Sequence, residues 1–345
     1  MTTTTTVGAE TPGAGPKTRR SPLDRVSWLR ELVLLPVIVI AIIIGAILTP
    51  RFLTVNNLVN NVLVVSAVLG MVVIAESIIL ISGYFDLSLE SVVGLGPMLA
   101  VWLVMPATVG GLGWELSPIL AIVIMFVVCA AIGLFNGFMI GKLALNAFMV
   151  TLAMLILLRG VTLGISGGQT FSSLPFLFRV LGSAKLLGVS VQVWIVVIAF
   201  ILAAIFMRHH PTGRRIYAMG GNPAAARAAG VNTLRLTIGV FVVGALIAGF
   251  AGLMLTGRIA SVTANQGDGM IFTVFAAAVI GGISLNGGRG TMLGAATGVL
   301  LLGIIQNILT LSNVPSFWIN AVYGVIILGA LVFGQLTSKR GKRAS

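Results

Sequence analysis

Apolar residues run along this chain in long, nearly unbroken stretches, parted by short breaks rich in glycine, asparagine or arginine. A helix rises about 1.5 Å per residue, so about 20 consecutive apolar residues cross the hydrocarbon core of a bilayer. Counting on that basis predicts ten transmembrane helices, over residues 32–48, 58–81, 89–105, 118–141, 143–165, 191–207, 236–256, 270–285, 291–311 and 317–336. The third and eighth are the short or glycine-rich ones. The predicted fold is an all-α integral membrane protein with one membrane domain over residues 31–336.

Composition sharpens this picture. The chain is 58% hydrophobic and 8% charged, with a mean hydropathy of +1.11. A soluble domain is about 25% charged, so this chain cannot cover itself with a water-compatible surface. The opening MTTTTTVGAETPGAGPKTRRSP is rich in Thr, Gly and Pro, which predicts a disordered, basic tail over residues 1–30. Residues 337–345 form a second basic tail. The run from Leu32 to Leu48 follows positive charge as a signal peptide would, but it lacks a small-residue cleavage site and more spans follow.

Charge then orients the helices. The formal net charge of +13 would point to nucleic acid in a soluble protein, yet the stretch from Phe52 to Gly141 holds no Lys or Arg, and no basic patch is interleaved with aromatics. Placing the N-terminus inside puts 16 of the 21 Lys and Arg on one side, in both tails, at Lys142, at Arg289 and in the 208–235 segment. Cytoplasmic loops carry such an excess, so both termini and the central segment are expected in the cytoplasm.

That central segment reads RHHPTGRRIYAMGGNPAAARAAGVNTLRL from Arg208 to Leu236 and holds 5 of the 21 basic residues. Within it, Asn222 is a good N-cap, Pro223 suits the first helical position, and Gly230 suits the left-handed residue after a helix. A helix of about seven residues is marginal alone, so it needs tertiary support or a partner. It reads either as a surface connector between two spans or as a docking helix for a cytoplasmic protein.

The run PTGRRIYAMGGNPAAARAAGVN resembles the cytoplasmic coupling segment of permease subunits in ATP-binding-cassette importers of the ribose, xylose and galactose type. Three other stretches agree in order and spacing: SGYFDLSLES (Ser82 to Ser91), GLFNGFMIGKLALNAFMVTLAMLILLRGVTLGISGGQ (Gly133 to Gln169) and AAAVIGGISLNGGRGTMLGAATGVLLLGIIQN (Ala276 to Asn307). The resemblance spans roughly residues 55–335. It implies a permease of a bacterial inner membrane that dimerises, sits on two copies of a cassette ATPase, and takes a monosaccharide or polyol from an extracytoplasmic binding protein. ATP would be bound by the partner, leaving the permease with no cofactor and no catalytic residue. Gly220, Gly221, Asn222, Pro223, Ala226, Arg227 and Gly230 then become candidates for coupling to the ATPase. Tyr84 and Glu90 stand where the family usually has glycine, and Ala224 where it is commonly acidic.

Polar residues inside apolar runs are the candidates for a translocation path. Glu76 lies within the second span, where an ionisable group costs about 2.5–3.5 kcal/mol and should face the bundle interior or water. Asp86, Ser88 and Glu90 follow at the end of that span. Asp86 is placed either to cap backbone N–H groups of the third span or to meet substrate. Asn136, Asn146 and Arg159 serve either helix-to-helix hydrogen bonding or sugar hydroxyls. The run GGISLNGGRGTMLG (Gly281 to Gly294) looks like a phosphate loop but lacks its GK[ST] ending, so glycine-mediated packing or a re-entrant turn is expected there. His209 and His210 have no carboxylate or thiol beside them, so no metal site is expected. An ion-coupled secondary transporter would fit the same hydropathy without an ATPase. A membrane-embedded transferase would need clustered carboxylates, and Asp24, Asp86 and Asp268 are far apart in sequence.

Overall fold

The computed structural model describes residues 34–315, together with 318–319, 321–325 and 328–329. Both predicted tails and much of the predicted last span lie outside the described residues. The rest is a bundle of helices: α1 (Leu35–Leu48), α2 (Val55–Ile81), α3 (Leu89–Val104), α4 (Pro118–Gly141), α5 (Ala147–Ser166), α6 (Phe176–Ser183), α7 (Val191–His209), α8 (Pro211–Gly221), α9 (Pro223–Ala228), α10 (Thr233–Ile259), α11 (Met270–Ile280) and α12 (Met292–Leu311). Six of these, α2, α4, α5, α7, α10 and α12, are long and apolar enough to cross a membrane, while α1, α3 and α11 are apolar but shorter. The described residues of the predicted last span are helical. The chain is thus a helical membrane protein, with one hairpin among the described residues, of the two-residue strands β1 (Lys185–Leu186) and β2 (Val189–Ser190), between α6 and α7.

The bundle is built around α2. After the asparagine-rich first turns its residues are mostly apolar, and nearly all of those from Val64 to Ile81 are buried, as expected for a helix that other helices surround. It opens with Thr54 as N-cap and passes through a π-helical stretch, Leu58–Leu63. Close by, Asn57 and Asn307 exchange amide hydrogen bonds at 2.8 and 2.9 Å, tying the start of α2 to α12. By contrast, α4, α5 and α7 show rows of exposed apolar side chains, among them Val123 and Val127, Ile156 and Leu157, and Ile198, Ile201, Leu202 and Ile205. So much exposed hydrocarbon is unstable in water and suits lipid.

Small residues bring the inner helices together. A Cβ on Gly133 or Gly137 of α4 would fall 2.5 Å from the Phe241 carbonyl oxygen and 2.7 Å from Ile238 Cα of α10, so these backbones touch in the manner of small-residue packing in membranes. Farther along α10, Gly252 presses on the Val93 carbonyl of α3.

Several elements depart from the expected spans. α11 has 11 residues, about 16 Å at the usual rise, and so covers about half of a 30 Å hydrocarbon core. It ends at Ile280 because the segment after it, expected as a glycine-packed or re-entrant run, is a compact turn whose Gly282, Gly287, Gly288 and Gly290 all have φ between 68° and 129°, a region that few L-residues enter. Residues 208–235, read as a polar insertion with one short helix, hold two helices, α8 and α9, and α10 already begins at Thr233.

Candidate functional site

The candidate path residues fall into two clusters and an outlier. The first cluster is wholly enclosed: Glu76, Asp86, Ser88 and Asn136 have relative exposures of 0%, 1%, 1% and 1%. After α2 ends, the chain turns back beside it, so that the Asp86 backbone N–H donates to Glu76 Oε1 at 3.4 Å. Asp86 Oδ1 accepts from the Ser88 backbone N–H at 2.9 Å and from the Ser88 hydroxyl, fastening the start of α3. The Asn136 side-chain amide of α4 donates to Ser88 Oγ at 2.9 Å. Among the described residues, no basic side chain pairs with either carboxylate. In this conformation the cluster therefore locks α2, α3 and α4 together and faces no open passage.

The second cluster links α3, α5 and the start of α11. Arg159 Nη2 lies 3.5 Å from Glu90 Oε1 and 3.5 Å from Asp268 Oδ1, and Arg159 Nη1 donates to the Gln266 carbonyl at 3.2 Å. Glu90 Oε2 accepts from the Ile271 backbone N–H at 3.1 Å, at the first turn of α11. A carboxylate there satisfies a free helix donor and meets the positive end of the helix dipole, which is worth about 0.3–1 kcal/mol. Asp268 connects this cluster to a cavity of about 370 Å³ between α2, α10, α11 and α12. Its polar lining comes from Arg258, Asn265, Asp268, Thr273, Gln306 and Tyr323, and its apolar wall from Val65, Val68, Leu69 and Leu255. Mixed walls of this kind, with a few convergent polar groups, are the usual makeup of small-molecule sites.

Sequence reasoning passed over Asn265, Thr273 and Gln306. Gln306 carried a signal, a polar residue inside the apolar run LLGIIQNIL, whereas Asn265 and Thr273 come together only through the fold. Asn146 joins neither cluster. It is exposed at the start of α5, and its Oδ1 accepts from the Met149 backbone N–H at 3.2 Å as an N-cap.

At one end of the bundle, three of the sequence motifs meet. Gly220, at the end of α8, lies so close to the Ile81 carbonyl and the Gly288 N–H that a side chain has no room there. Gly83, just past α2, sits against Gly220 Cα, and a Cβ on Gly287 would fall 2.7 Å from the Gly220 carbonyl oxygen. The Gly288 N–H donates to Ile81 O at 2.8 Å, and the Tyr217 hydroxyl to Gly290 O at 2.8 Å. Backbone on backbone, α8 is thus fixed to the end of α2 and to the α11–α12 turn.

α9 comes directly after and is capped as its residues dictate. Asn222 Oδ1 accepts from the Ala225 N–H at 3.0 Å. At the other end Gly230, at φ 81°, donates to Arg227 O at 2.9 Å and Val231 to Ala226 O at 3.0 Å, the paired bonds of a Schellman ending. Of its six residues only Ala226 is buried; Pro223, Ala224, Ala225, Arg227 and Ala228 are exposed, as are Gly221 and Asn222 before them.

A membrane bundle with enclosed polar groups, a mixed-polarity cavity and a small capped helix exposed at one end defines a transport permease. The comparisons agree. The family model described as branched-chain amino acid transport system / permease component matches residues 58–331. The L-arabinose ABC transporter permease protein AraH of Azospirillum brasilense is 33% identical over 267 residues, 77% of this chain and 76% of that protein. The ribose import permease protein RbsC of Escherichia coli (strain K12) is 35% identical over 272 residues, 77% of this chain and 82% of that protein. Its namesake in Bacillus subtilis (strain 168) is 32% identical over 274 residues, 79% and 83% of the two chains. No solved structure matches the chain. The chain belongs to this family of ABC-importer permease components. It is a multi-pass inner-membrane transport subunit, and ATP hydrolysis lies with a separate component.

Proposed function

We propose that this permease carries a monosaccharide of the ribose or arabinose kind into the cell. The observation that supports the reading most is the 32–35% identity to ribose and L-arabinose permeases over about four-fifths of the chain. The family description names branched-chain amino acids, but the relatives with those identities carry pentoses, and the cavity beside α11 offers hydroxyl and amide partners suited to a neutral sugar. The chain has ten spans, with both termini and the α8–α9 segment in the cytoplasm, because that arrangement gathers 16 of the 21 basic residues on one side. Two copies of the permease stand on two cassette ATPase subunits, and an extracytoplasmic binding protein delivers the sugar. The permease holds no cofactor, since ATP is bound by the partner.

In this scheme the sugar enters the cavity bounded by Asn265, Asp268, Thr273 and Gln306. The Glu90–Arg159 pair holds the start of α11 against α3 and α5, and so sets that wall of the cavity. The enclosed Glu76 cluster keeps α2, α3 and α4 moving as one body when access alternates. Gly220 and its neighbours carry the movement of α8 into the membrane helices, and α9 meets the ATPase through the exposed Asn222, Pro223, Arg227 and Gly230, with Ala226 buried beneath them.

Reconstitution tests this reading. Permease, ATPase and binding protein in vesicles should take up ribose or L-arabinose only with ATP and binding protein present, and a protonophore should not slow it. Uptake by the permease alone that collapses with the ion gradient would establish the rival, an ion-coupled transporter. Single cysteines at Thr212 and Ser338, in a Cys129→Ser background, should stay unlabelled by an impermeant thiol reagent in intact cells. Labelling of either one from outside would reverse the orientation.

A further inference from the structure

A second cavity, of about 460 Å³, opens where α7 leaves the apolar region and α8 begins. Arg208, Arg214 and Tyr217 line it from α7 and α8, Gly290 and Thr291 from the turn before α12, and Ala204, Met207, Met292 and Leu293 give it an apolar floor. The charges on its rim are unbalanced. Among the described residues the only ion pairs are those of Arg159, so neither Arg208 nor Arg214 faces a described carboxylate, and both are exposed. Arg214 is also held in place, since its Nη1 donates to the His209 carbonyl at 2.8 Å, which leaves its other N–H groups for a ligand.

Three features together select the ligand. Two guanidinium groups and the N-terminal turn of the 20-residue α12, capped by Thr291, all favour an anion at the mouth. From the mouth an apolar surface runs down the lipid-facing side of the same helices, through Ile201 and Ile205 of α7, at 53% exposure each, and Leu293 and Leu300 of α12. The charged rim also sits where the apolar run of α7 ends at Arg208 and His209, which is the depth of lipid headgroups. A free phosphate would use the rim and leave the apolar surface without purpose. We propose that this groove is a binding site for an anionic phospholipid of the leaflet on the α8–α9 side, its phosphate on Arg208 and Arg214 and an acyl chain along α7 and α12. Basic pockets between membrane helices bind such headgroups through charge that neutral lipids lack. The bound lipid would brace α8 against α12 beside the Tyr217–Gly290 bond, so the site bears on the same joint as the glycine contacts. It does not depend on which sugar is carried.

The test is native mass spectrometry of the purified full-length permease with added palmitoyl-oleoyl phosphatidylglycerol or phosphatidylcholine. The parent protein should retain phosphatidylglycerol in preference to phosphatidylcholine, and the Arg208→Ala/Arg214→Ala protein should lose about tenfold of that preference. The Arg208→Lys/Arg214→Lys protein, which keeps the charge, should retain most of it and serves as the folding control. In a thermal melt, phosphatidylglycerol should raise the parent's melting temperature, whereas inorganic phosphate or glycerophosphoglycerol, which lack chains, should not. Equal retention of both lipids by the parent, an unchanged preference after the double alanine substitution, or a shift given equally by inorganic phosphate would each overturn the lipid site. Sugar uptake is a separate readout, so failure here leaves the transport reading standing.

Discussion

α8 and α9 start alike and end up in opposite situations. Each begins with a capping side chain and a proline at the first helical position: His210 Nδ1 accepts from the Thr212 N–H at 3.2 Å before Pro211, and Asn222 Oδ1 accepts from the Ala225 N–H at 3.0 Å before Pro223. α8 then buries Gly213, Ile216, Met219 and Gly220 along one face, whereas α9 buries Ala226 alone. The difference lies in the residues after the cap. Spacing of three and four places the α8 glycines and apolar residues on one stripe, and the stripe seats the helix on the membrane bundle. A run of alanines offers no such stripe, so α9 is held by its caps, its one buried residue Ala226 and its short connections to α8 and α10, and presents the rest of its surface outward. One helix is a joint and the other an exposed surface, which we propose as the contact for the ATPase, and substitutions should divide along that line.

The largest effect should come from the joint. Gly220→Leu places a side chain where the Ile81 carbonyl and the Gly288 N–H already stand, and overpacking of this kind costs about 1–3 kcal/mol or more. We expect a clear fall in melting temperature and in the amount of monodisperse permease recovered from membranes. Its neighbour sharpens the contrast: a Cβ on Gly221 has only Gly288 Cα near it, at 4.0 Å, so Gly221→Leu should be recovered at the parent level. Equal loss from both would mean that the glycine contacts do not hold the joint.

A smaller effect is expected at the α9 cap. Asn222→Ala removes the acceptor for the Ala225 N–H and should weaken that helix by about 1 kcal/mol. Amide hydrogen exchange over residues 223–231 should quicken severalfold, with exchange in α2 and α10 unchanged. The smallest effect on the fold is expected from Arg227→Glu. Its side chain is exposed at the free end of α9, and surface changes of this kind stay within about 0.5 kcal/mol. Stability should therefore be preserved while affinity for the ATPase falls, read by titrating ATPase onto permease in nanodiscs. A melting temperature that drops with Arg227→Glu would place α9 in the packed structure instead.

The legibility of the chain divides in the same way, between local and distant causes. α4 begins where predicted because Ser117 and Pro118 give a cap and a first-turn proline, with Ser117 Oγ accepting from the Leu120 N–H. The α9 caps were legible for the same reason, each signal lying within a few residues of the bond it makes. α8 was not, because histidine is a weak cap signal and the helix is secured by Ile81 and Gly288, which are far away in sequence. The start of α11 is capped by Glu90, 181 residues from the N–H it accepts from, and the Asn57–Asn307 exchange joins residues 250 apart. Glu76 is legible as a costly residue and Asp86 as a cap or substrate contact, but only the fold shows that the chain turns back to enclose them with Asn136. The cavity beside α11 is the least legible, since most of its polar lining comes from residues that no local pattern connects.

We propose above all that the ATPase takes hold at α9. Ala226 N–H donates to Asn222 O at 3.0 Å. Proline at that position removes the bond and crowds the same carbonyl, at about 3 kcal/mol, which a six-residue helix cannot absorb. The direct measurement is co-purification of Ala226→Pro permease with its ATPase from membranes, alongside ATP-driven sugar uptake. The expected result is normal permease in the membrane, no ATPase retained, and no uptake. An Ala226→Pro permease that holds its ATPase and transports at the parent rate would contradict it, and would leave α9 a connector between α8 and α10.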